Sequence, residues 1–266
     1  MQEPLEKLTE RIAQSAERLK QHYGARRLHI LRVGIRRIRT YLKQSGMRRA
    51  KRMRKIWGGF AASTNDARDW DVFHRTARVL LEPDEYQTFK RLNRKRLEAS
   101  HRAVKTMVNS AHWDRHLEYW RRYLERSANR AGTNSREQPS LDAAVQKAGA
   151  VLSRALQADD DRAWHKFRIA VKETRYIADA ISPLPAGVQP VIATCKALQA
   201  TLGEWHDTVI QLQLLDELQP DPVHARLQSL IRKRRTLSLA QTRDLLAAQS
   251  IFAPTRCDDG PGAPRS

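Results

Sequence analysis

The chain has 266 residues, enough for one large domain or two small ones and for a sizeable buried core. Hydrophobic residues make up 41% and charged residues 29%, which excludes a disordered or membrane-spanning chain. Against 29 Asp and Glu stand 49 Lys and Arg, and a formal charge of +20 points to a polyanionic partner: nucleic acid, polyphosphate or anionic lipid.

The opening MQEPLEKLTERIAQSAERL lacks the apolar core of a signal peptide, so a cytoplasmic location is expected. Residues 4–21 space Leu5, Leu8, Ile12, Ala16 and Leu19 three or four apart, the single apolar stripe of an amphipathic helix. The same spacing predicts helices over 26–45, 48–62, 68–81, 84–108 and 112–127. Beyond the polar break AGTNSREQPS (131–140) it predicts 140–157, 162–181, 188–202, 207–218 and 221–249. SPLPAGVQP (182–190) reads as a Pro-bracketed loop, and APTRCDDGPGAPRS (253–266) as a flexible tail. Alternating β-branched runs are absent, no hairpin dipeptide occurs before the 253–266 tail, and no apolar run reaches membrane-spanning length. Two cysteines, Cys195 and Cys257, exclude a disulfide framework or a Cys-rich zinc module. The expected fold is all-α.

The break at 131–140 halves the chain, and the halves align. HILRVGIRRIR (29–39) matches HKFRIAVKETR (165–175) at an offset of 136. LNRKR (92–96) matches LIRKR (230–234) at 138, and NDARD (65–69) lies opposite GEWHD (203–207) at the same offset. An internal duplication is expected, giving two pseudo-symmetric antiparallel helical bundles over 1–130 and 141–252. In each half His, Arg, Arg or Lys, and Arg stand at relative positions 0, 3, 7 and 10. On a helix these fall within an arc of about 80° and span about 15 Å. His29, Arg32, Arg36 and Arg39 form one row, and His165, Arg168, Lys172 and Arg175 the other.

Like charges one turn apart repel by a few tenths of a kcal/mol, and a repeating anion would relieve that. Between Arg18 and Asn65 there are fifteen Lys and Arg and no acid, so local salt bridges cannot neutralise them. Arg48, Arg52 and Lys55 share a face of the 48–62 helix and read as a flanking row. Arginine offers phosphate a planar, bidentate fork, and lysine a point charge. A histidine beside bound phosphate would gain basicity and donate.

Other signals have plainer readings. Asp69 and Asp207 sit near expected helix starts and read as structural carboxylates that cap amides or orient an arginine. His165, His206-Asp207 and Asp216 imitate the order of a metal-dependent HD-type phosphohydrolase. The matching first-half pair, however, is Arg68-Asp69, and a cation holds no metal. His112 and His116 lack the glutamate of a zinc protease and read as surface positions of a helix. The six tryptophans, Trp57, Trp70, Trp113, Trp120, Trp164 and Trp205, read as core residues rather than base-stacking platforms.

Taken together, LHILRVGIRRIR, NDARDWDV, WHKFRIAVKETRY, LGEWHD and the two L-x-RKR segments make this chain resemble the CHAD family of conserved-histidine α-helical domains, from about residue 5 to 249. The resemblance implies two pseudo-symmetric helical bundles whose basic surface and central channel bind inorganic polyphosphate, with no catalysis and no cofactor or metal. It makes the eight row residues ligand contacts, with Tyr176 matching a frequent family residue. Arg48, Arg52, Lys55, Arg94, Arg96, Tyr176, Lys196, Arg232 and Arg234 are expected to form a second tier of binding residues. The implied role is targeting to polyphosphate, including its cytoplasmic granules, with no membrane partner. Nucleic-acid backbone binding is the rival reading, and the metal-dependent phosphohydrolase a more distant one.

Overall fold

The computed structural model describes residues 5–45, 47–128, 140–179, 181 and 187–252. These form ten α-helices: α1 Leu5–Gln21, α2 Ala25–Gln44, α3 Ala50–Ala62, α4 Asn65–Leu80, α5 Pro83–Val108, α6 Ala111–Ala128, α7 Leu141–Ala158, α8 Asp161–Ala178, α9 Val188–Asp216 and α10 Pro222–Ala247. A 3-10 turn follows at Ser250–Phe252, and there is no strand among the described residues. The fold is all-α. Most of the linker and all of the tail read from the sequence lie outside the described residues.

Two compact units divide the chain. The first comprises Met1–Gln138 with Ile210–Lys233, the second Pro139–Val209 with Arg234–Ser266. Residues 210–233, placed by the sequence in the second half, therefore pack with the first unit. The reason is a shared core: Leu215, Leu227 and Ile231 join Trp70, Phe73 and Phe89 of α4 and α5. A larger core in the same unit gathers Leu8, Ile12 and Leu19 of α1, Leu31, Ile35 and Ile38 of α2, Trp57 of α3, and Trp113 and Trp120 of α6. In the second unit, Leu152 of α7, Trp164 and Phe167 of α8, Leu202 and Trp205 of α9, and Phe252 form the core. All six tryptophans are buried. Each contributes roughly 2 kcal/mol or more of apolar burial.

Local chemistry sets the helix ends. Ser140 accepts a bond from the Ala143 amide at 3.1 Å, and Asp160 one from the Ala163 amide at 2.7 Å, so both side chains cap. Glu82 and Glu85 form a capping box at the start of α5, with Pro83 in its first turn. α1 and α2 meet at Gly34, where an added Cβ would stand 2.4 Å from Ile12 Cγ1.

Three expectations are corrected. α3 begins at Ala50, because Arg49 adopts φ 65°, outside helical space. The predicted 182–190 loop overruns the helix predicted from 188: Val188–Pro190 belong to the first turn of α9, where the missing proline N–H leaves no bond unmade. The predicted break between 202 and 207 is absent: α9 runs on through Gly203 because Leu198, Leu202 and Trp205 keep one buried stripe across it.

Candidate functional site

On α2 the buried stripe is Leu28, Leu31, Ile35, Ile38 and Leu42. His29, Arg32, Arg36 and Arg39 each follow a stripe residue by one position, so the cationic row runs along the edge of the core-facing stripe. His29, Arg36 and Arg39 are exposed, and Arg32 is half-buried. Arg32 donates from Nη1 to the Ala61 carbonyl at 3.0 Å and to Thr64 Oγ1 at 2.6 Å, tying α2 to the end of α3 and the start of α4. Its side chain is thus a tether as well as a charge. The Arg39 guanidinium lies over Gly58 of α3.

His29 is held below the ordinary imidazole range, first by partial desolvation and then by the guanidiniums of Arg36, Arg75, Arg68 and Arg32. Arg68 and Arg75 belong to α4, and the row pattern alone does not find them. A signal for them exists: Thr64, Arg68 and Arg75 are spaced four and seven apart, which is one helical face. Since Thr64 meets Arg32, that face is turned to α2. Asp69 accepts from Arg68 at 2.8 Å, and Asp71 accepts from the Tyr23 hydroxyl at 2.5 Å. The Asp71 carboxylate also meets His101 Nε2 at 2.9 Å, and the Tyr23 and His101 rings stack 3.6 Å apart.

On α8 the same one-residue shift recurs. Trp164, Phe167, Val171 and Thr174 are buried, and His165, Arg168, Lys172 and Arg175 follow them, all half-buried. Desolvation, then Arg168 and Lys172, pull His165 below its ordinary range. Its ring lies 4.8 Å from that of His206 on α9. Arg175 Nη1 sits 3.7 Å from Asp179, and its guanidinium covers the Tyr176 ring at 5.3 Å, a cation–π contact. Beside it, burial pushes the Cys195 thiol up to about 12, which keeps it protonated and unreactive.

The second tier divides. Arg48 precedes α3 and so does not share its helical face, while its carbonyl accepts from Tyr123 Oη at 2.9 Å. Arg52 and Lys55 are exposed on α3, Arg94 on α5 and Lys196 on α9. Arg96 donates to the Glu217 carbonyl at 3.0 Å, and Arg234 pairs with Glu204 at 2.5 Å, so both already hold acidic or carbonyl partners. Arg232 is exposed on α10.

The carboxylates are also corrected. Thr64 stands at the N-cap of α4, so Asp69 lies inside the helix, and Asp207 lies deep within α9; neither caps. His116 is no surface residue. It is buried 4.7 Å from Trp57, and burial lowers its pKa to about 4. Although His165 and His206 are brought together, no group of three or more His, Cys, Asp or Glu able to hold a metal occurs among the described residues. Nor is any described helix long and apolar enough to cross a membrane.

A search of curated proteins returned no match. Among solved structures, the chain is similar to the crystal structure of the CHAD domain from the plant Ricinus communis. The TM-score is 0.68 at 23% sequence identity, covering 93% of this chain and 88% of that one. The likeness shows a shared fold. The family model for the CHAD domain matches residues 4–216, most of the chain. The protein therefore belongs to the CHAD domain family.

Proposed function

We propose that the α2 and α8 rows bind inorganic polyphosphate, and that the protein is a non-enzymatic module recruited to that polymer. The observation that carries this reading is the repeated placement of the row. Twice, a histidine and three cations follow a buried stripe by one residue, with several guanidiniums bearing on the histidine in the first unit. The matched spacing favours an origin by duplication. Guanidinium forks and lysine ammonium groups at one-turn intervals suit a linear chain of phosphates, and released counterions supply affinity. The family resemblance points the same way, and the charge of +20 adds long-range attraction.

The test leaves Arg32 in place, because its tether to Ala61 and Thr64 makes it part of the fold. Arg36, Arg39, Arg168 and Lys172 are replaced together by Ala. Polyphosphate raises the melting temperature of the unmodified protein by mass action, and the fourfold variant, folded in its absence, loses that rise. A variant that keeps the full rise overturns the assignment. Displacement of polyphosphate by structured RNA at equal phosphate concentration would favour the nucleic-acid reading. Metal-dependent phosphate release abolished by Asp207→Ala would favour the hydrolase.

A further inference from the structure

We infer that the two rows are unequal phosphate sites, and that Arg68 and Arg75 of α4 supply a second arm that makes the first row the stronger. The inference rests on the reading of the rows as phosphate sites.

The arm follows from packing. Arg32 on α2 bonds Thr64, the N-cap of α4, and Arg68 and Arg75 recur on the Thr64 face one and three turns further on. Both guanidiniums accordingly bear on His29, together with Arg32 and Arg36 of α2. Of the acidic groups of α4, Asp71 is engaged by Tyr23 and His101, whereas Asp69 pairs with Arg68 itself at 2.8 Å, so Arg68 shares its charge with that carboxylate. Arg75 itself is exposed. A phosphate beside His29 would therefore meet permanent charges from two helices.

The second unit lacks that arm. At the sequence offset of 138, His206 stands where Arg68 does, while the counterpart of Arg75, Gln213, is uncharged and belongs to the first unit. The His206 ring lies 4.8 Å from His165, so an imidazole replaces the guanidinium. The cations that bear on His165 are those of its own helix, Arg168 and Lys172, while Arg175 is shared with Asp179. An imidazole is charged only when protonated and offers no bidentate fork; a guanidinium is charged throughout and does. At pH 8 the first row thus presents phosphate with two-sided charge and the second with one side.

The experiment is calorimetric titration of a short-chain polyphosphate into the full-length protein at pH 8. The variants are Arg75→Ala, the pair Arg68→Ala with Arg75→Ala, and the pair Arg168→Ala with Lys172→Ala. Melting curves without ligand confirm that each is folded. Loss of charge-assisted bonds predicts about a tenfold or greater weakening in the α4 pair, a clear part of it in Arg75→Ala alone. In the α8 pair the weakening should stay within about threefold. An α8 pair that weakens binding as much as the α4 pair, or an Arg75→Ala protein with unchanged affinity, overturns the inequality. If the unmodified protein takes up no polyphosphate at all, the underlying reading fails, and this inference with it.

Discussion

His29 and His165 open their rows as imidazoles held below the ordinary range by desolvation and neighbouring cations. Phosphate bound beside them, as proposed, would offset the neighbouring cations and raise both pKa values. Between the free and the bound pKa the complex then holds more protons than the free protein, so affinity rises as pH falls through that window. Below the free pKa, and above the bound one, affinity levels off. Titrations near pH 6.5 in buffers of different ionisation enthalpy should show proton uptake, and His29→Gln with His165→Gln should remove most of it. Proton release on binding would contradict the assignment. The facing of the eight row residues was legible from their spacing, because periodicity alone decides which residues share a helical side. The Arg32 tether and the α4 arginines were not, because both depend on which helix packs opposite. His116 misled for the same reason: only the fold places Trp57 and Phe60 against it.

The helices themselves were largely legible, since each buried stripe writes its period into the sequence. Errors fell where a local signal competed with tertiary packing. LGEWHD in α9 carries a Gly and an Asp that read as a helix boundary, yet Leu202 and Trp205 stay buried on one continuous helix. Gly203 is therefore an interior helical residue, and a Cβ added there would meet nothing within 4 Å. Gly203→Ala should stabilise the protein by roughly 0.5–1 kcal/mol, through lower backbone entropy in the unfolded chain and better helix propensity. Denaturant unfolding measures it as a raised midpoint at unchanged slope. A neutral or destabilising result would mean that the segment turns at Gly203 after all. The contrasting glycine is Gly34, where contact with Ile12 leaves no room for a methyl group.

Across the molecule, the partition into units was the least legible property. α9 and α10 each pass from one unit to the other without a change of composition, so nothing in the sequence marks residues 210–233 as partners of α4 and α5. The charge was legible at once, and a formal +20 predicts long-range attraction that salt screens. Screening alone does not distinguish a diffuse basic surface from two defined rows; the number of counterions released does. The decisive measurement is a salt series of polyphosphate titrations on the unmodified protein and on the variant with Arg36, Arg39, Arg168 and Lys172 replaced by Ala. The logarithm of the association constant should fall linearly with the logarithm of salt concentration, and the variant's slope should be shallower by about 3, roughly 0.7–0.9 for each cation removed. A variant that keeps the unmodified protein's affinity and slope would show that the polymer is held elsewhere.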